Sequence, residues 1–380
     1  MKKFLTRIGA AVAAIAVLTS CKADSVITFA DVTPTNGAPT ADVTASPSPA
    51  PTESPSPSPT PSPTPTPYDG SVNPLTGLPT DETAAKLRPA AVMINNIKEA
   101  LPMSGLASAD LIFETLAEGG VTRLLAVFQN PANAEAVGSV RSARHYFIDL
   151  AQGLDAVYVH AGGSPQAYTE LQNRKVDHMD GVTTVYDFFY RDKNRSSYAM
   201  EHRLFLNGAK LAEYLDASTK IRRTHADNYA DPLTFADDGT PKVGTAIASI
   251  SVTYSAYKTG VFTYDAATST FLVSEYGKPM TDGASSKQLA VTNVVILKTN
   301  ISKIAGDAYG RLNVTLTGEG EGWYACGGVY TEITWSKKSA TAPFIFTYKA
   351  TGEPVHFGRG VSYINIVPKT EKVVFEQGTN

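Results

Sequence analysis

Residues 141–165 read RSARHYFIDLAQGLDAVYVHAGGSP, and in order they present a helical stripe, a short apolar strand, a glycine turn and a second helix start. Ala143, Phe147, Leu150 and Ala151 recur at helical spacing, which predicts an amphipathic helix over 141–152 with one buried face. Arg141, Arg144 and His145 stand at i, i+3 and i+4, so that helix would carry them together near its start, just after Gly138-Ser139. A helix amino terminus offers unpaired N–H groups and partial positive charge, and two arginines beside it suit a phosphate or carboxylate. The competing reading makes Arg141 and Arg144 ion-pair partners of Glu114, Glu118 or Asp149. The apolar run Val157-Tyr158-Val159-His160 then enters Ala161-Gly162-Gly163, with Ser164 suited to an N-cap and Pro165 to the first helical position.

Further out, residues 90–94, 111–116, 122–128 and 156–160 read as strands between helical patterns, an α/β arrangement with a mixed sheet flanked by helices over 69–220. Ligands in such sheets gather at the carboxyl ends of strands, so His160, Gly162, Gly163 and Ser164 are expected near Arg141 and Arg144. A core histidine and an unliganded tight turn are the plain alternatives. Glu114 and Glu118 bracket the turn before Arg123; as a carboxylate pair they suggest acid and base roles, and as single groups they suit arginine pairing. A polar stretch over 187–203 interleaves Phe188, Phe189 and Tyr190 with Arg191, Arg195 and His202, a candidate binding loop or surface lid. Asp177, His178 and Asp180 lack recognised metal-ligand spacing, and no metal or cofactor is expected. The chain has no Gly-x-Ser-x-Gly elbow, His-Glu-x-x-His helix, Walker loop or dinucleotide fingerprint.

The second half, 245–368, changes character. Apolar clusters at 250–254, 260–264, 270–273, 291–297, 312–316, 328–335, 344–348 and 363–367 alternate with turn residues, which predicts a mostly antiparallel β domain. Trp323, Tyr324, Trp335 and Tyr348 form either an aromatic face for glycan or cross-strand core packing, the latter being favoured.

At the other extreme of the chain, Lys2, Lys3 and Arg7 precede an apolar run too short to span a bilayer, and Leu18-Thr19-Ser20-Cys21 follows. This reads as a lipoprotein signal peptide over 1–20, with Cys21 as the lipidated residue. Residues 21–68 are a Pro/Ser/Thr-rich tether whose segment 47–67, in polyproline conformation, would reach on the order of 65 Å. Cys326 is the one other cysteine, so no disulfide pair is expected within the folded part. Cleavage before Cys21 removes three positive charges from 33 and none of the 36 acidic residues, which argues against nucleic acid as a partner. The expected location is the extracytoplasmic face of the cell membrane.

Several motifs together carry a family resemblance: Asn73-Pro74-Leu75-Thr76-Gly77-Leu78-Pro79, Arg88 through Asn96, Glu118-Gly119-Gly120-Val121-Thr122-Arg123, Val140-Arg141-Ser142-Ala143-Arg144, and His160-Ala161-Gly162-Gly163-Ser164. In this order they resemble the YerB-like lipoproteins of Gram-positive bacteria. The resemblance implies a membrane-anchored location and two consecutive domains; it brings no catalytic residues. The chain departs from the family pattern around Met200-Glu201-His202-Arg203. Two functions follow as expectations. The first is an envelope lipoprotein that binds an anionic ligand (glycan, lipid phosphate or peptide carboxylate) or serves as a scaffold, with a cell-wall glycan or envelope protein as partner. The second is an envelope hydrolase or transferase using Glu114, Glu118 or His160.

Overall fold

The structure, a computed structural model, describes residues 70–227 and 229–378. The expected signal segment, Cys21 and the expected tether lie outside the described residues. In chain order the principal elements are β1 (Ala90–Asn96), β2 (Leu111–Leu116), β3 (Thr122–Phe128), α1 (His145–Gly153), β4 (Val157–His160), α2 (Pro165–Asn173) and β5 (His178–Asp180). After α3 (Gly208–Ala217) come β6 (Ser249–Ser255), β7 (Lys258–Asp265), β8 (Thr270–Glu275), β9 (Asn293–Thr299), β10 (Gly318–Cys326), β11 (Val329–Lys337), β12 (Ser362–Pro368) and β13 (Val373–Glu376).

The fold is α+β with two domains, and one sheet runs through both. Its order is Thr245–Ala246, β11, β10, β9, β12, β2, β3, β1, β4, β5, with Ile345–Tyr348 added beside β11, eleven strands in all. The joint is β12, which lies parallel to β9 on one side and parallel to β2 on the other. β1, β2 and β3 are antiparallel neighbours, and β4 and β5 continue in parallel beyond β1. Strands flanked on both faces must be apolar on both, and β1, β2, β3 and β4 are buried along their whole length.

The two faces differ in what covers them. Ala91, Met93, Phe113, Leu125 and Val127 pack with Phe147, Ile148 and Ala151 of α1. Ile94, Ile112, Leu124 and Ala126 pack with Ile250, Val252 and Phe262 of a second sheet. That sheet is antiparallel throughout, in the order Lys278–Pro279, β8, β7, β6, β13, with Ala290–Val291 beside β8. Along β6 and β8 buried and half-buried positions alternate, as expected where one face is packed and the other wetted.

Two local expectations change. The helix begins at His145 rather than Arg141, because Ala143 is held extended: its N–H donates to the Gly162 carbonyl, and its carbonyl accepts from the Ser164 N–H. The stretch 187–203 is no free loop; Phe189–Arg191 pairs with Leu204–Leu206, which in turn pairs with Val137–Gly138. Tyr324 and Trp335 are core residues, leaving Trp323 and Tyr348 as the half-exposed members of the expected aromatic face.

Candidate functional site

The carboxyl ends of β1 and β4 meet a segment that crosses them. Arg141 N–H donates to the Met93 carbonyl, and the Arg141 carbonyl accepts from Ala161 N–H, so residues 139–144 are laid between the two strand ends. This brings Arg141, Ser142 and Arg144 beside Gly162 and Gly163, as the strand-end rule anticipates. Gly162 has φ +72°, the left-handed region that glycine enters without steric cost.

Two guanidinium groups meet one carboxylate, and the charge of a third, Arg141, acts on them from beside Glu201. Arg144 grips Glu118 with two bonds, Nε to Oε1 and Nη2 to Oε2, the latter at 2.8 Å. Arg123 Nη2 lies 3.6 Å from the same Glu118 Oε2, and its Nη1 donates to the Ser142 carbonyl. Arg141 Nη1 donates to the Glu201 carbonyl at 3.2 Å, while its Nε is buried with no protein partner. Burial pushes Arg123 down to about 9, and the charges of Arg144 and Arg141 push the same way against Glu118. Arg123 therefore stays protonated at neutral pH, in a crowded cationic setting. Burial works to raise the Glu118 carboxyl, and the bonds and charge of Arg144, helped by Arg123, hold it below the ordinary range. Arg144 and Arg123 are nearly enclosed, whereas Arg141 is half-exposed at the rim.

Beside this rim lies a sealed histidine. His160 Nδ1 is 2.8 Å from the Gly162 carbonyl, which requires the proton on Nδ1; its Nε2 then accepts from His178 Nδ1 at 3.0 Å. Burial pushes His160 down to about 4, so the ring is neutral. Asp180 fixes the same turn, accepting from Gly162 N–H and Val182 N–H through Oδ1 and from the Tyr168 hydroxyl through Oδ2. Ser164 caps α2 by accepting from Ala167 N–H at 3.1 Å, as its position predicts.

The remaining candidates scatter. Glu114 projects from the opposite face of the main sheet and is enclosed between the sheets. Its Oε1 accepts from Asn96 and Thr122 and lies 3.4 Å from Lys258 Nζ, while its Oε2 accepts from Tyr363 and sits 2.9 Å from the Tyr254 hydroxyl. Glu114, Glu118 and His160 thus share no open cleft. His145 opens α1 with Asn313 and Asp149 beside it, away from the arginine cluster. Arg195 is buried under the 97–103 segment, donating to the carbonyls of Ala100 and Pro102 and lying over the rings of Tyr198 and Phe205. His202 is buried and its Nδ1 accepts from the Asn95 amide at 2.9 Å; burial and then the charge of Arg141 lower its pKa. Arg191 is exposed and donates to the Met200 carbonyl. Asp177 pairs with Arg88, so Asp177, His178 and Asp180 serve separate partners. Among the described residues no cluster of acidic, histidine or cysteine side chains has the geometry to hold a metal.

Sequence reasoning missed Asn95 and Tyr168, which hold His202 and Asp180 in place, and weighed His178 only as a metal ligand, whereas it bonds His160. The spacing of Tyr168 four residues after Ser164 on a capped helix was the available signal.

Comparison with known proteins gives the family. Residues 75–222 match the model described as protein of unknown function (DUF3048) N-terminal domain, and residues 250–364 match its C-terminal domain. Over 309 residues the chain is 31% identical to a protein of Bacillus subtilis (strain 168) named as a candidate lipoprotein, YerB, covering 80% of this chain and 88% of that one. The crystal structure of YerB protein from Bacillus subtilis matches with a TM-score of 0.69 and 28% identity, over 80% of this chain and 99% of that chain. Among the described residues no helix is long and apolar enough to cross a membrane. Two consecutive family domains, the relative's identity over most of both chains and the shared fold agree: the chain belongs to the YerB-like family of paired DUF3048 domains.

Proposed function

We propose that the chain is a lipoprotein anchored through Cys21 on the extracytoplasmic face of the cell membrane, and that it binds an anionic envelope component at the Arg123–Arg141–Arg144 cluster without catalysing a reaction. One observation carries the reading: two guanidinium groups, Arg144 and Arg123, share the carboxylate of Glu118, and a third, Arg141, adds its charge to theirs from the half-exposed rim, offset in part by Glu201. Like charges brought this close repel, and a phosphate or carboxylate bound at the half-exposed rim would relieve that repulsion. The relative named as a candidate lipoprotein supports the anchoring, as do the charged amino terminus and Cys21. The sealed positions of Glu114 and His160 leave the hydrolase or transferase reading without an exposed acid–base pair.

Binding of the mature protein to a washed envelope fraction tests this. Arg141→Ala and Arg144→Ala should each weaken retention while the thermal transition of Arg141→Ala stays in place; retention equal to wild type in both variants refutes the site. Mass spectrometry of the natural protein tests the anchor, which requires acyl chains on Cys21.

A further inference from the structure

At the opposite edge of the main sheet two cavities, each of about 590 Å³, adjoin one another and share Thr331 and Ala350 as lining. The first lies where the two sheets part, and its wall is aromatic: Trp323 and Tyr330 come from the main sheet and Phe375 from β13. Phe375 stacks on Tyr330 at 3.9 Å between ring centroids and tilts against Trp323 at 5.6 Å. All three are half-exposed. The second cavity continues past Tyr348 to Asp238, Glu353 and His356. The exposed segment 242–246 forms a wall along both, and Gly244 allows it to run close to Tyr330, since a Cβ there would come within 2.4 Å of the Tyr330 carbonyl oxygen.

The chemistry of this groove differs from that of the arginine rim. Its charges are of both signs: Lys349 sits between Glu321 and Glu332 at 3.0 and 3.1 Å, and Lys242 stands near Asp238 and Glu353 on the lining. The four carboxylates outnumber the two ammonium groups, so this surface repels an anion where the arginine rim attracts one. Aromatic faces at one end, hydroxyls at Thr240, Thr245 and Thr331, and carboxylates spaced along the length are what a row of pyranose rings requires: apolar C–H faces pack on aromatic rings, and ring hydroxyls donate to carboxylates and exchange bonds with threonines.

From this arrangement we infer that the joined groove binds a linear, uncharged oligosaccharide, with one sugar packed against the Trp323–Phe375–Tyr330 cluster and the chain running past Thr331 toward Tyr348. This site is independent of the arginine cluster and stands or falls separately from it.

Trp323 provides its own reporter, because the second tryptophan, Trp335, is buried against Phe344. The mature protein is titrated with cellotetraose and with chitotetraose, following tryptophan emission and, in parallel, heat. A saturable change with Kd at roughly the millimolar level or tighter is expected for at least one of them. Trp323→Phe should remove the emission change with the thermal transition preserved, and Thr331→Val, at the junction, should weaken calorimetric binding several-fold. Arg141→Ala should leave saccharide binding unchanged. Absence of saturation by either sugar at about ten times the millimolar level, equal affinity in Thr331→Val, or saturation by an extended peptide in place of the sugars would overturn the inference.

Discussion

Glu114 and Glu118 lie four residues apart and meet opposite fates. Glu114 projects between the two sheets, where it is met by Asn96, Thr122, Tyr254, Tyr363 and Lys258, and where Lys258 also reaches Glu275 and lies over the Tyr276 ring. Glu118 stands beyond the end of β2, half-exposed, and is met by Arg144 and Arg123. Glu114 is closed to any ligand and ties the sheets together, since its partners come from both domains. Glu118 is balanced by more positive charge than it can neutralise. A carboxylate's role here follows from its place in the chain: Glu114 leaves β2 on the face turned to the second sheet, whereas Glu118 lies in the turn that follows the strand, where the backbone has left the pleat.

The largest effect should come from breaking the closed network. Glu114→Ala leaves the buried Asn96 amide and the Thr122 and Tyr363 hydroxyls without their carboxylate acceptor, while Lys258 keeps Glu275, and should cost about 3–5 kcal/mol in urea unfolding, because each buried donor left unpaired costs about 1–3 kcal/mol. A loss under about 1 kcal/mol would mean that the network does not join the sheets.

Next in size is the pH response of His160. Its folded pKa of about 4 lies below the ordinary value of about 6.5, so the unfolded chain binds the proton first. Its contribution is complete above pH about 6.5 and is lost as the pH falls toward 4, a total of about 3 kcal/mol. Asp110, raised to about 6 by burial, acts in the opposite sense between about 4 and 6, so the quantity to measure is the wild-type stability minus that of His160→Gln. A difference that is flat with pH would show that the ring is not sealed.

Asp180→Ala should cost about 1–3 kcal/mol, since it removes a largely buried acceptor from two backbone N–H groups and the Tyr168 hydroxyl. Hydrogen exchange at Gly162 and Val182 should rise in that variant; protection equal to wild type would contradict the role given to Asp180. Arg141→Ala, at the open rim, should change stability by no more than about 0.5 kcal/mol, and a loss as large as that of Glu114→Ala would move Arg141 from the binding site to the core.

Much of this contrast was legible in local sequence, and its far half was not. Ser164 and Pro165 announced the start of α2 because capping chemistry is local. The helix start before His145 was misplaced for a nonlocal reason, the bonds from Ala143 to residues 162 and 164. Val294-Val295-Ile296-Leu297 is continuous rather than alternating, which marks a strand buried on both faces and hinted that β9 belongs to the central sheet, whereas Asn365 interrupts the apolar residues of β12. The neighbour of β12, β2, lies some 250 residues earlier, as the bond from Thr115 Oγ1 to the Ile366 carbonyl shows, and no periodicity encodes a pairing at that separation. For the same reason Glu114 read as a candidate acid: its partners Tyr254 and Tyr363 are 140 and 249 residues away.

The arginine rim as an anion site is tested most directly by calorimetric titration of the mature protein with poly(glycerol phosphate), in wild type, Arg141→Ala and Glu118→Gln side by side. Removing a guanidinium should weaken binding roughly fivefold or more, and neutralising the internal carboxylate should strengthen it, with both shifts shrinking as salt is raised. Equal affinities in all three proteins, or weaker binding by Glu118→Gln with its fold intact, would contradict the account.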